Sequence, residues 1–356
     1  MEKANSDGEN SMELIYKGSV KDLYKKDNHI IFKYSNRYSI FDWGKMPDEI
    51  PQKGEALASM AASFFEFLKQ KGFSSHFIKA TSQDSIEVQS VAVHRPQWVS
   101  DNYDYSFYKT QPTDCLVPLE VIFRKHLGQG NSLQARLENN PTYLEDLGLK
   151  EKPTSTTSFK PVLVEFSTKL ETTDRYLTRK EIAAMNVLSE SELQGLRQLT
   201  QQVADEIEKL FASFGVKLWD GKFEFAFGEK QIGGERTLML VDSIGPDELR
   251  LTYEGLPLSK EFLRQIYGPS SWSQAVKKAK ELASARKTQD WKAICKEELH
   301  EMPMPLSAVA IQVSALLYKA LANELARATG RELPFSADCS IVQWHKEAQK
   351  VLGVNS

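Results

Sequence analysis

The stretch that most constrains the fold is residues 219–228, where apolar and charged side chains alternate. Trp219, Phe223, Phe225 and Phe227 fall on one side and Asp220, Lys222 and Glu224 on the other. A strand produces this pattern because successive side chains point to opposite faces. A turn-prone segment, residues 231–236, follows with its Gly233–Gly234 pair. Leu238, Leu240 and Asp242 then share a face in a second short strand, ended by Gly245-Pro246-Asp247. The pattern predicts a hairpin across which Glu224 and Asp242 meet. Two carboxylates at 4 Å repel by roughly 4 kcal/mol at an effective dielectric near 20, so a cation or a shared proton is expected between them. A hard ion such as Mg²⁺ fits, and it commonly arrives with nucleotide phosphates. The alternative is a solvated strand face with a Lys222–Glu224 surface pair.

A chain of 356 residues exceeds one ordinary core and suits two compact lobes with an appendage. We divide it into a disordered tail (1–11), a β-rich nucleotide-binding lobe (12–115), an α+β lobe with the metal and substrate site (116–268) and a helical C-terminal extension packing on the second lobe (269–356). A net charge of -3 argues against nucleic acid or an anionic membrane as partner. Cys115, Cys295 and Cys339 are odd in number and widely spaced, which points away from a disulfide framework and towards a reducing cytoplasm. The six histidines show no zinc spacing. No apolar run approaches a membrane span, and residues 1–11 lack the regions of a signal peptide.

Along the chain, residues 14–24 read as strand, tight turn, strand, with a third strand at 29–34. Gly18 in that turn lets backbone N–H groups approach an anion, and Lys17 or Lys21 can add charge, although a hairpin glycine is more often a turn residue alone. Leu57, Met60, Ala61, Phe64 and Leu68 form one stripe of a helix stopped by Gly72. Further strands are expected at 85–93, 117–123 and 162–166. Arg124 beside the glycine-rich 128–132 segment can clamp a carboxylate or phosphate in two-pronged fashion, the alternative being a salt bridge to Glu120. Residues 139–159 read as a long surface excursion. Thr178 with Glu181 has capping-box spacing, and Ser191 is expected to cap a long helix carrying Leu196, Leu199, Val203, Ile207, Leu210 and Phe214. Residues 272–301 read as a solvated helical insertion, and 306–328 as an amphipathic helix with Val309, Val313, Leu316, Leu317, Ala320 and Leu321 in its stripe.

Several stretches, in order, resemble the phosphoribosylaminoimidazole-succinocarboxamide synthase (SAICAR synthetase) family. They are Lys17-Gly18-Ser19-Val20-Lys21-Asp22-Leu23-Tyr24; Ser39-Ile40-Phe41-Asp42 with Ile50-Pro51-Gln52-Lys53-Gly54; and Val117-Pro118-Leu119-Glu120-Val121-Ile122-Phe123-Arg124. Ser167-Thr168-Lys169, Lys222-Phe223-Glu224-Phe225, Asp242, Pro246-Asp247 with Arg250, and Lys260 with Arg264 continue the series. The resemblance implies an α+β, two-lobed fold with a β-rich ATP-binding first lobe. It implies ATP- and Mg²⁺-dependent joining of carboxyaminoimidazole ribotide to L-aspartate through an acyl phosphate. By the same resemblance, Lys17, Gly18, Ser19, Lys21 and Glu120 face ATP, and Glu224 and Asp242 hold Mg²⁺. Arg124, Ser132, Ser167, Lys169 and Arg264 face substrate, while Lys222, Arg250 and Asp42 serve catalysis.

The chain departs from the family at Ser19, where lysine is usual, at Ser243, where glutamate is usual, at Ser259, where many members have aspartate, and by an insertion within 128–132. Two alternatives are therefore carried: a divergent ligase joining another acid and amine by the same chemistry, and a non-catalytic nucleotide-binding scaffold. Homo-oligomerisation is left open.

Overall fold

A computed structural model describes residues 12–128, 131–140 and 142–354. The tail assigned to residues 1–11 and two residues of the 128–132 segment lie outside that range. The fold mixes helix and sheet in two lobes. The first lobe is a five-stranded antiparallel sheet of β1 (Glu13–Lys17), β2 (Lys21–Lys26), β3 (His29–Tyr34), β4 (Phe77–Ser82) and β5 (Ser85–Gln89), in the order β1-β2-β3-β5-β4. Helix α1 (Lys53–Gln70) packs on β3, β4 and β5, burying Leu57, Met60, Ala61, Phe64 and Leu68 as its spacing predicts. Phe64 and Leu68 are 0% exposed, so truncating either to Ala would cost about 2–5 kcal/mol. Strand β5 is shorter than the expected 85–93.

A small hairpin of β6 (Gln97–Val99) and β7 (Asn102–Asp104) leads to β8 (Cys115–Leu116), β9 (Leu119–His126) and β10 (Ser158–Thr168). Strand β11 (Lys217–Lys230) is the spine of the second sheet. Its first half pairs with β9 and β13 (Leu249–Tyr253), and its second half with β8 and β12 (Arg236–Val241). Strands β10 and β14 (Leu256–Pro257) complete the sheet. Phe123 and Phe223 stack at 4.7 Å between ring centroids on the face covered by α5 (Glu190–Ala212). That helix starts at Ser189, whose hydroxyl and Glu192 form a reciprocal capping box, and not at Ser191. The expected alternation also needs one correction. A register shift between Leu218 and Asp220 turns Leu218 into the core at 1% exposure, while Trp219 leaves it to face His126. A bulge inserts an extra residue and so reverses which parity points inward.

Residues 139–159 are more than a surface excursion. Helices α2 (Ser132–Asn139) and α3 (Tyr143–Asp146) cover a small core of Leu127, Leu133, Leu137, Tyr143, Phe159 and Leu163. Helix α4 (Arg179–Met185) begins with the Thr178–Glu181 capping box. Helices α6 (Lys260–Tyr267), α7 (Ser271–Ala285), α8 (Trp291–Ala293), α9 (Ala308–Ala328) and α10 (Ile341–Leu352) follow. The 272–301 insertion is not simply solvated. Trp272 is 1% exposed and packs edge-on against Trp43 and Tyr267, so the insertion docks on the loop that follows β3. Helix α9 lies between α1 and α10, burying Ala310, Val313, Leu317, Ala320 and Leu321 but leaving Val309 59% exposed. No helix among the described residues is long and apolar enough to cross a membrane.

Candidate active site

Antiparallel registry places one row of charge on the second sheet's open face. Asp220 sits opposite both Arg124 and Arg250, and Glu120 opposite Ser167. Residues 220, 222 and 224 share that face because they are two apart on β11. The lobes meet along it, joined by the His76 N–H donating to the Leu240 carbonyl at 2.9 Å and the Leu240 N–H donating to the Ser74 carbonyl at 3.0 Å. A cleft of about 880 Å³ opens there, lined by Gly18, Ser19, Lys21, Lys169, Glu224 and Asp242 among others.

Glu224 and Asp242 meet at the floor of this cleft, and lysines crowd them. Lys21 of β2 donates to the Asp242 carboxylate and, at 3.0 Å, to Ser243 Oγ. Lys169 Nζ lies 2.6 Å from Glu224 Oε1 and 3.6 Å from Glu120 Oε1, and Lys222 Nζ 2.6 Å from Glu120 Oε1. Lys222 therefore pairs with Glu120 and not with Glu224. Burial first, and the facing Asp242 second, push Glu224 up to about 7. Burial opposes the charge of Asp242 as well, but the Lys21 ammonium outweighs it and holds that carboxyl at about 2. Asp242 has φ 65°, a left-handed backbone rare outside glycine, which turns the chain at the end of β12.

Arg124, Ser132 and Arg250 converge in a second cluster on the same face. Arg124 is 3% exposed; its Nε donates to Glu165, Nη2 to Ser132 Oγ at 3.5 Å, and Nη1 lies 3.6 Å from Asp220 Oδ2. Arg250 Nη1 is 3.3 Å from the same Asp220 oxygen. The alternative pairing of Arg124 with Glu120 is thus not made. Arg136, which sequence reading passed over, donates to Ser132 Oγ at 3.0 Å and stacks 3.3 Å over the Tyr176 ring.

The remaining candidates are placed less centrally. Lys17 is exposed and does not line the cleft. Gly18 is needed by close approach, since a Cβ there would stand 2.6 Å from the Lys21 carbonyl oxygen. Ser167 is buried at the β9–β10 junction. Asp42 is 86% exposed and paired with Lys280 Nζ at 2.9 Å, while Arg264 Nη1 pairs with Glu261 at 2.9 Å. Neither lines the cleft, although the Lys280 hydrogen bond and charge, with Lys260 and Arg264 nearby, outweigh partial desolvation and lower the Asp42 carboxyl below its ordinary value. Gly245-Pro246-Asp247 reads in the sequence as a strand-ending turn with no site role, yet Asp247 and its neighbour Glu248 both stand on the cleft wall. Burial, with Asp247 and then Asp242 nearby, pushes Glu248 up to about 8.

The donor set can be tested against Mg²⁺. Among the described residues no group of three or more His, Cys, Asp or Glu side chains could enclose a metal ion. Two hard carboxylates with one ionisation opposed by the other do suit an ion that completes its shell with phosphate oxygens and water.

The SAICAR synthetase family model matches residues 14–279. A protein of Archaeoglobus fulgidus, named provisionally as a phosphoribosylaminoimidazole-succinocarboxamide synthase, is 36% identical over 335 residues, 88% of this chain and 94% of its own. The chain belongs to the SAICAR synthetase family. Solved members of that family share its fold. A Saccharomyces cerevisiae SAICAR synthase complexed with SAICAR aligns at TM-score 0.60 and 19% identity, over 93% of this chain and 98% of that one. A SAICAR synthetase in complex with ADP aligns at TM-score 0.53 and 20% identity, over 83% and 100%. The SAICAR synthetase family is one of ligases that form a carbon–nitrogen bond in purine biosynthesis, and the chain belongs among them.

Proposed function

We propose that the chain joins 5-amino-1-(5-phosphoribosyl)imidazole-4-carboxylate to L-aspartate, giving SAICAR, ADP and phosphate. The observation that carries this reading is the pair of buried Glu224 and half-buried Asp242, flanked by Lys21, Lys169 and Lys222 in a cleft between lobes. A carboxylate is a poor acyl donor, so an oxygen of the ribotide carboxylate must first take the γ-phosphoryl group, with ADP leaving. The aspartate amine then attacks the acyl carbon. The C–O bond to phosphate breaks with its electron pair on phosphate, and the amine gives up one proton to the surroundings.

Such transfer needs positioned positive charge more than a protein nucleophile. Lys21 and the backbone about Gly18 and Ser19 would hold nucleotide phosphates, and Lys222 and Lys169 would offset charge on the moving phosphoryl group. Arg124, Arg250 and Ser132 would clamp the ribotide phosphate. Ser167 would line that side, whereas Asp42 and Arg264, which stand away from the cleft, are given no part in it. Glu224 and Asp242 would hold Mg²⁺, which supplies charge neutralisation to the phosphates. The test is ADP release from purified protein given the ribotide and aspartate singly and together, with mass spectrometry for the succinocarboxamide. ADP that appears only with both, accompanied by that product, is expected.

A second reading, a ligase for another acid or amine, is favoured by Ser243, a cleft residue bonded to Lys21 and Tyr34 where the family usually has glutamate. Nucleotide binding without the succinocarboxamide product would select it.

A further inference from the structure

The Lys21 ammonium occupies the place where a cation on Asp242 is expected. It donates to the Asp242 carboxylate and at 3.0 Å to Ser243 Oγ, and Ser243 Oγ lies 2.7 Å from the Tyr34 hydroxyl. The ammonium also sits 4.5 Å from the centroid of the Phe32 ring, a cation–π contact that favours the charged form in place. On the other side, His76 Nε2 is 3.1 Å from the Asp242 carbonyl, which fixes the backbone that carries the carboxylate. Lys21, Phe32 and Tyr34 come from β2 and β3 in the first lobe, whereas Asp242 and Ser243 follow β12 in the second. The row Tyr34–Ser243–Lys21–Asp242 is thus a polar latch between lobes at the cleft floor.

We propose that Lys21 is the resident counter-ion of Asp242, held there by Tyr34 and Ser243 as positioning residues, and that nucleotide entry exchanges this ammonium for the cation the nucleotide brings. The proposal rests on the reading of the cleft as a nucleotide site. A divalent ion arriving alone meets a carboxylate already satisfied by a charge-assisted hydrogen bond, so it binds weakly. Nucleotide phosphates offer Lys21 a second anion, and once it swings to them Asp242 is free. Metal and nucleotide then bind with positive coupling, and by linkage each raises the affinity for the other equally. Ser243 is central because it gives the ammonium a neutral partner beside the carboxylate. It steadies Lys21 on Asp242 without adding a charge that would have to be overcome when the phosphates arrive. The Tyr34 hydroxyl, pushed up to about 12 chiefly by burial, stays protonated and steadies Ser243 in turn.

The test is Mn²⁺ binding to the full chain by electron paramagnetic resonance without nucleotide, paired with calorimetry of ATP in Mg²⁺. Lys21→Met should tighten nucleotide-free Mn²⁺ binding by on the order of tenfold and weaken ATP binding. Ser243→Ala and Tyr34→Phe, which loosen Lys21 while keeping its charge, should each tighten Mn²⁺ by about two- to fivefold. Ser243→Thr keeps the hydroxyl and should bind Mn²⁺ as the wild type does. Unchanged Mn²⁺ affinity in both Lys21→Met and Ser243→Ala overturns the proposal, and Ser243→Ala decides alone if Lys21→Met does not fold. A wild-type chain that binds no ATP would remove the functional reading itself, a different failure from ATP binding without any Mn²⁺ effect.

Discussion

Lys53 and Asp247 form an ion pair with Nζ 2.8 Å from Oδ2 and side chains 0% and 8% exposed, behind the cleft wall that Asp247 helps to line. Tyr318 of α9 donates to the other Asp247 oxygen at 2.8 Å, and its ring centroid lies 4.9 Å from the Lys53 ammonium. One contact therefore ties the start of α1, the turn after β12 and helix α9. Removing one partner strands a buried charge, so Lys53→Met should cost about 3–5 kcal/mol, read from urea unfolding. A loss below about 1 kcal/mol would show that the pair is not what holds these three elements.

Glu224→Gln and Asp242→Asn should each abolish turnover while leaving the melting temperature within a few degrees of the wild type. The two carboxylates both line the cleft, close enough for Asp242 to push the Glu224 carboxyl up, and each neutral substitute keeps the shape but loses the hard anion a divalent ion needs. Normal turnover in both variants would remove the metal assignment.

Arg124→Lys should raise KM for the ribotide markedly although the charge is kept. The guanidinium now engages Glu165, Asp220 and Ser132 at once, a geometry one ammonium cannot reproduce. Steady-state kinetics would show this as a rise in KM for the ribotide with little change for ATP. Equal changes in both would point to a general loss of structure.

Stability should fall as pH rises from about 5 to 8 in metal-free buffer. Glu224 and Glu248, raised to about 7 and about 8 from an ordinary 4.5, hold their protons more tightly folded than unfolded. The unfolded chain releases those protons first on raising pH, which favours unfolding through that window. Asp242, held at about 2, acts with the opposite sign, but its contribution is lost only as pH falls from about 4 towards 2. Glu224→Gln should flatten the decline between pH 5 and 7 in a series of urea midpoints. An unchanged slope would mean that Glu224 is ionised throughout.

The local pattern determined a good deal. Period-two alternation in β11 and period-3.6 stripes in α1 and α5 arise from which residues neighbour each other along one element, so they are readable from order alone. The same holds for the Thr178–Glu181 box and for the pairing of β11 with β12 as one hairpin, but the register sets Val241 opposite Glu224, and Asp242 reaches the cleft from one residue past the strand, at φ 65°. The family resemblance drew on motif order in the same way. Sequence failed where a residue's surroundings come from distant segments. The bulge at Leu218 depends on the register of β13, and the burial of Trp272 on a loop more than two hundred residues earlier. Only tertiary structure placed Lys21 on Asp242, Lys222 on Glu120 and Lys53 on Asp247, because the reach and desolvation that choose between several nearby opposite charges are set by the pairing of distant strands and the packing of the lobes, and not by spacing in the chain.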